Sequence, residues 1–210
     1  MAAGVVIVDY GMANLRSVQK AFERVGHAAD VTSDPGRIAD AAKLVVPGVG
    51  AFRDAIARLR DTRLGDLITA HIADGRPFLG ICLGMQMVFT RSHEDGAHAG
   101  LDVLRGDVVR FPRVPGLKVP HMGWNTLRLT RPDCPLFRGL PADPAVYFVH
   151  SYHPAPADRS VVAAEADYPD PFCAVVWKDN LYATQFHPEK SQQVGLTMLR
   201  NFASLGNDER

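Results

Sequence analysis

The stretch "RPFLGICLGMQMVF", residues 76 to 89, decides how this chain is read. The run "PFLGI" has strand character, Gly80-Ile81-Cys82-Leu83-Gly84 follows at once, and a run of helical character comes after it. A tight strand-to-helix turn of this form lifts its central residue above the carboxyl end of a sheet. The flanking glycines remove Cβ atoms that would crowd the turn. Open α/β sheets bind ligands at that end. The first N–H groups of the helix face the sulfur and favour thiolate over thiol. The pentapeptide alone leaves two readings open, a buried structural thiol and a nucleophile.

The segments before it alternate. "GVVIVDY", "HAADVTS" and "AKLVVPG" are short apolar runs rich in β-branched residues, as in buried parallel strands. Leu15, Val18, Phe22 and Val25 recur at helical spacing until Gly26 stops them, and "AFRDAIARLR" and "LGDLITAHIADG" read as further helices. This rhythm predicts a parallel sheet covered on both faces. From Leu101 onward the chain reads as short strands: "DVLRGDVVRF", "LKVPHM", "WNTLRLT", "AVYFVHSY", "SVVAAEA", "FCAVVWKDN" and "LYATQFH". A last helix, "QVGLTMLRNFASL", puts Val194, Met198, Phe202 and Leu205 on one face, and "RSHEDGAHAG" reads as a polar loop between the halves. The expected fold is α/β: an open, mostly parallel sheet with helices on both faces and an antiparallel extension in the second half. The expected organisation is a single domain over residues 1–210.

With 210 residues the chain can build one sizeable core. Its formal net charge of zero gives no bulk attraction to nucleic acid or a membrane surface. The apolar runs are too short and too broken for a transmembrane helix. "MAAGVVIVDYG" reads as a strand and lacks the basic start of a signal peptide. Three cysteines without framework spacing, Cys82, Cys134 and Cys173, suit free thiols and a cytoplasmic location. Cys134 and Cys173 lack the turn and helix around them and read as inert. His93 and His98 lack a third ligand at metal-binding spacing, so a solvated loop is expected there, with no metal and no cofactor.

A thiol nucleophile needs a base. "ATQFHPEKS" supplies one: a strand ending at Phe186 would deliver His187 to the rim of the sheet, and Glu189 can hold the imidazole tautomer and steady its charged form. Pro188 restricts the backbone between them. Acyl transfer also needs donors for an oxyanion. The Leu83 N–H is one candidate. The loop Pro47-Gly48-Val49-Gly50, between a strand and a helix, can swing another toward a ligand.

Together these motifs resemble those of the class I glutamine amidotransferases. "VDYGMANLRSV", "PGVGAF", "GICLGMQ", "KVPHMGWN", "YFVHSYH" and "ATQFHPEKSQ" run nearly end to end in the order of one branch of that family, the glutaminase subunits of imidazole glycerol phosphate synthases. "PHMGWN" with "FHPEKSQ" is the part most particular to that branch. The resemblance implies a Cys82, His187 and Glu189 triad that hydrolyses glutamine through a thioester. It implies oxyanion N–H groups from Val49 and Leu83, and a glutamine pocket of Gly50, Gln86, His150, Ser151 and Tyr152. It further implies a heterodimer in histidine biosynthesis, in which ammonia passes to a (β/α)₈-barrel cyclase docked on Asn14, Met122, Trp124, Tyr147 and Lys190. In this family the Pro-Gly-Val-Gly peptide is thought to be misoriented until the partner engages. This chain departs from the family at Ala13, where many relatives have Gly, and at His153, where Tyr is frequent. Other class I glutaminases, a free-standing thiol hydrolase and a non-catalytic scaffold subunit are the competing readings.

Overall fold

The structure, a computed structural model, describes residues 4–206. The first three residues of the opening stretch and the last four of the expected domain lie outside it. The chain begins with β1 (Val5–Val8), α1 (Leu15–Arg24), β2 (Ala29–Thr32), α2 (Pro35–Ala39), β3 (Leu44–Gly48), α3 (Phe52–Asp61), α4 (Leu64–Ala73), β4 (Phe78–Cys82) and α5 (Leu83–Met87). There follow β5 (Phe89–Ser92), β6 (His98–Ala99), β7 (Leu104–Arg110), β8 (His121–Thr126), β9 (Arg128–Leu129), β10 (Ala145–His150) and β11 (Tyr152–Pro156). The last elements are β12 (Val162–Asp167), β13 (Pro171–Lys178), β14 (Leu181–Thr184) and α6 (Gln192–Ser204).

The main sheet has the order β2-β1-β3-β4-β14-β13-β12-β9. The strands from β2 to β14 are parallel, and those from β14 outward are antiparallel. The continuous apolar runs are explained by burial on both faces. Val5 and Ile7 point into the core beneath α1 and α6, with Val18, Phe22, Met198 and Phe202. Val6 and Val8 point into the opposite core, beneath α2 to α4, with Ile38, Phe52, Ile56 and Ile68. This is the expected α/β architecture, helices on both faces included. The antiparallel part extends beyond the main sheet into two smaller ones, β10-β8 and β11-β7-β5-β6.

Several local expectations are corrected. "RSHEDGAHAG" is not a plain loop: β5 and β6 pair across it, Arg91 to Ala99 and Ser92 to His98. "LKVPHM" forms no strand before His121, because Pro120 has no N–H to give a ladder. One strand, β8, then runs through Gly123 and pairs with β10 from His121↔His150 to Thr126↔Ala145. The strand expected to reach Phe186 ends at Thr184. Helix α2 was not anticipated, although its signals are ordinary: the Asp34 carboxylate accepts from the Arg37 N–H at 3.0 Å, and Pro35 opens the first turn. Strand β11 was also unassigned.

Candidate active site

At the end of β4 the chain turns sharply. Cys82 has φ 55 and ψ −108, a conformation that costs a non-glycine residue energy and recurs at functional turns. Two glycines make the turn sterically feasible. A Cβ on Gly80 would lie 2.8 Å from the Gly84 carbonyl oxygen, and a Cβ on Gly84 would overlap the Val46 carbonyl oxygen of β3. The elbow is therefore pressed against the neighbouring strand, and Leu83 begins α5 with a first-turn N–H that has no intrahelical partner.

Cys82 opens into a cavity of about 280 Å³. Val49, Gly50, Leu83, Gln86, His150, Ser151, Tyr152, His187 and Lys190 line it with Cys82. The structure thus brings together, from distant parts of the sequence, all the expected glutamine-pocket residues. Glu189 lies behind His187, accepting from its Nδ1 at 2.8 Å with both side chains almost wholly buried. Burial alone would lower the pKa of this ring. Interaction with Cys82 and with Glu189 outweighs it and raises the value to about 10. The ring is held as imidazolium, the form that stabilises a thiolate and can return a proton to a leaving group. His187 Nε2 and the second Glu189 oxygen have no hydrogen-bond partner.

The backbone of His187 is held from outside the main sheet. Its N–H donates to the Tyr147 carbonyl of β10 at 3.1 Å. The Ser191 hydroxyl donates to the His187 carbonyl at 2.6 Å and accepts from the Tyr147 N–H at 3.0 Å.

The Val49 N–H is already engaged within the protein, donating to the Met12 carbonyl at 3.1 Å. Gln86 uses its amide nitrogen within the protein, on the Tyr152 carbonyl (2.9 Å) and on the Gln185 side-chain oxygen (3.0 Å), leaving its own oxygen for the cavity. His150 also has both ring nitrogens engaged, Nδ1 with the Tyr152 carbonyl at 2.9 Å and Nε2 with His121 Nδ1 at 3.2 Å. Burial lowers the pKa of His150 to about 3 and that of His121 to about 4, so both are neutral. His153 faces away from the cavity, its ring 4.6 Å from that of Phe111.

Two features escaped the reading of the sequence. Glu94, in the hairpin taken for a solvated loop, lines the cavity and accepts from the Phe52 N–H of α3 at 2.7 Å. Gln185 is fully buried and donates toward Cys82 Sγ at 3.7 Å. Its place directly before Phe186-His187 was the available signal. His93 pairs with Asp107 at 2.8 Å. Among the described residues no group of three or more His, Cys, Asp or Glu is arranged to hold a metal ion. Cys134 and Cys173 are buried away from the cavity, and burial pushes both thiols up, Cys134 to about 12.

The expected interface residues lie around the cavity mouth or beyond it. Met122 and Trp124 are 62% and 50% exposed on β8, opposite Val149 and Tyr147 of β10. The Trp124 and Tyr147 rings meet edge to face at 6.1 Å. Asn14 precedes α1 and is exposed, as is Lys190.

A strained cysteine elbow and a buried imidazolium–carboxylate pair, brought to one cavity beside a parallel sheet, have the arrangement that thiol-dependent acyl transfer requires. The chain belongs to the class-I glutamine amidotransferase family, whose pattern it matches over residues 6–204. It is 58% identical to the imidazole glycerol phosphate synthase subunit HisH of Syntrophotalea carbinolica, over 96% of this chain and all of that one. It is 54% identical to the subunit of the same name from Geobacter metallireducens, over 96% of this chain and 98% of that one. A solved glutamine amidotransferase superposes with a TM-score of 0.73 at 19% identity, over 95% of this chain and 99% of the other, a likeness of fold alone.

Proposed function

We propose that this protein is the glutaminase subunit of an imidazole glycerol phosphate synthase, acting as one amidotransferase domain in the cytoplasm. The supporting observation is the convergence of the Cys82 elbow and the His187–Glu189 pair on one cavity. Glutamine enters with its side-chain amide over Cys82. The thiolate attacks the amide carbon, and charge develops on the amide oxygen, where the Leu83 N–H receives it. The His187 imidazolium protonates the amide nitrogen, the C–N bond breaks, and ammonia leaves. A γ-glutamyl thioester remains on Cys82. Water, deprotonated by the now neutral His187, attacks the thioester and releases glutamate. Glu189 keeps the ring in one tautomer throughout. The carboxylate of Glu94 provides a counter-charge for the α-ammonium group of the substrate. Gly50, Gln86, Ser151 and Tyr152 line the pocket, with His150 as a neutral wall.

The second oxyanion donor, the Val49 N–H, is occupied by Met12 and becomes available when that peptide turns over. Gly48 and Gly50 on either side give it the freedom to do so. We infer that a (β/α)₈-barrel cyclase, docked on Asn14, Met122, Trp124, Tyr147 and Lys190, drives this change and receives the ammonia in histidine biosynthesis. One oxyanion donor is worth about 10²–10³ in rate.

The test is glutamate release by the isolated subunit and by its complex with the cyclase, for the native sequence and for Cys82→Ala. The native complex should exceed the isolated subunit by at least about 10². Cys82→Ala should lose about 10⁴-fold or more while ammonia-dependent synthesis by the complex survives. Near-normal glutamine use by Cys82→Ala removes the nucleophile assignment. Equal turnover with and without the cyclase removes the switching by docking.

A further inference from the structure

We propose that Gln185 is a positioning residue for the nucleophile, its side-chain N–H aimed at the Cys82 sulfur by a hydrogen-bond relay whose polarity is set at the Tyr152 carbonyl. The proposal rests on Cys82 being the nucleophile.

The polarity follows from which groups can donate. A backbone carbonyl only accepts. The Gln86 side-chain atom lying 2.9 Å from the Tyr152 carbonyl must therefore be its nitrogen. That same nitrogen lies 3.0 Å from the Gln185 side chain, so the Gln185 atom meeting it must be the oxygen. The other end of the Gln185 amide, the end that reaches Cys82 Sγ at 3.7 Å, is then the nitrogen, and it donates. Amide orientation, ordinarily free to reverse, has one solution here.

The same carbonyl fixes the far side of the relay. His150 Nδ1 carries a proton because it too points at the Tyr152 carbonyl. His150 Nε2 must then accept, and His121 Nδ1 donates to it. Both rings are kept neutral by burial. The relay therefore keeps its polarity across the working pH range, and Gln185 is offered no route to turn over.

Gln185 is fully buried, with no water-facing alternative, and Gln86, though it borders the cavity, is nearly so. The Gln185 backbone is pinned as well, its N–H donating to the Ala174 carbonyl of β13 at 2.8 Å. A neutral donor on the sulfur favours the charged form and limits where the sulfur can swing. The titratable groups around Cys82 are His187 with Glu189 behind it, His150, Glu94 and Lys190 along the cavity, and Tyr10 beneath the elbow. All of them are retained when Gln185 alone is changed.

The test is the pH profile of Cys82 alkylation by iodoacetamide, read by mass spectrometry on the full chain, for the native sequence, Gln185→Met and Gln185→Glu. Methionine keeps the length and loses the donor. Glutamate keeps an acceptor for Gln86, so the relay stays closed, but it presents oxygen to the sulfur. The midpoint should rise by about one pH unit in Gln185→Met and by more in Gln185→Glu. In complex with the cyclase, kcat for glutamine should fall about 10-fold in both with KM little changed, and the acid limb of the rate profile should move with the alkylation midpoint. Unchanged midpoints in both variants overturn the proposal. A rise in Gln185→Met accompanied by thermal destabilisation, with none in Gln185→Glu, assigns Gln185 to packing and overturns it too. If Cys82→Ala retains glutaminase activity, it is the nucleophile assignment that fails, and the alkylation profiles still report on Gln185.

Discussion

Glu189→Gln tests the electrostatics of the site with almost no change in shape. The His187 ring has a pKa of about 10 against an ordinary 6.5, despite burial that works the other way. Each pKa unit is worth about 1.36 kcal/mol, so the folded imidazolium is favoured, net of burial, by roughly 5 kcal/mol. Cys82 and Glu189 both contribute, and a hydrogen bond to a charged group is generally worth about 1.5–3 kcal/mol, which sets the scale for the carboxylate at about 2 kcal/mol. A group whose folded pKa is raised stabilises the fold fully below its unfolded value and loses that effect as pH rises through the folded one. The Glu189 contribution is therefore present at about pH 7 and fades toward pH 10 and above. Urea unfolding of the native protein and of Glu189→Gln at these two pH values measures it. The variant should be less stable by about 2 kcal/mol at neutral pH, and the gap should close at alkaline pH. Glutamate release should fall about 10²–10⁴-fold, less than for His187→Ala. A stability gap of equal size at both pH values would show that the carboxylate does not act through the charged ring, and the reasoning would be refuted.

Glu94→Gln preserves an acceptor for the Phe52 N–H while removing the charge. KM for glutamine should rise about 10–100-fold with kcat nearly kept, and an unchanged KM would remove the ammonium role. Gly84→Ala forces a methyl group onto the Val46 carbonyl and should cost several kcal/mol by chemical denaturation, whereas Gly26→Ala, with nothing near its added Cβ, meets only backbone strain. Equal losses for the two would contradict the close packing of the elbow. Trp124→Ala should weaken cyclase binding about 10-fold or more by titration calorimetry while leaving thermal stability almost unchanged, because half of the ring is exposed.

Much of this was legible in the sequence because it depends on short-range rules. The elbow announces itself through two glycines around a cysteine, the base through three adjacent residues, and the parallel core through runs with no polar alternation. What escaped depends on pairings between remote segments. Glu94 sits among charged and small residues that look solvated, and only the β5–β6 hairpin carries it back to α3 and the cavity. Gln185 was read as part of a strand. Its role comes from Gln86, ninety-nine positions away along the chain. The early end of β14 has the same origin: Gln185 still gives its N–H to Ala174 of β13, but the His187 N–H goes to Tyr147 of another sheet. The expected strand at "LKVPHM" failed for a local reason, a proline without a donor, and was legible in principle.

The hold of Tyr147 on His187 ties the proposed base to a second sheet as well as to the strand it follows. Cys82 ends a strand deep within the eight-stranded sheet, while His187 is tethered to the two-stranded β8–β10 ribbon. A shift of the ribbon against the sheet would therefore act on the gap between sulfur and imidazole. A misplacement of about 1 Å between reacting groups costs roughly 10²-fold in rate. The ribbon's outer face carries Met122 and Trp124, whose side chains anything landing there would press upon. Moved in that way, the ribbon would work as a lever, with its long arm in solvent and its short arm at the proposed base. Substitutions on the solvent side of β8 should retune turnover without altering a single atom of the pocket wall.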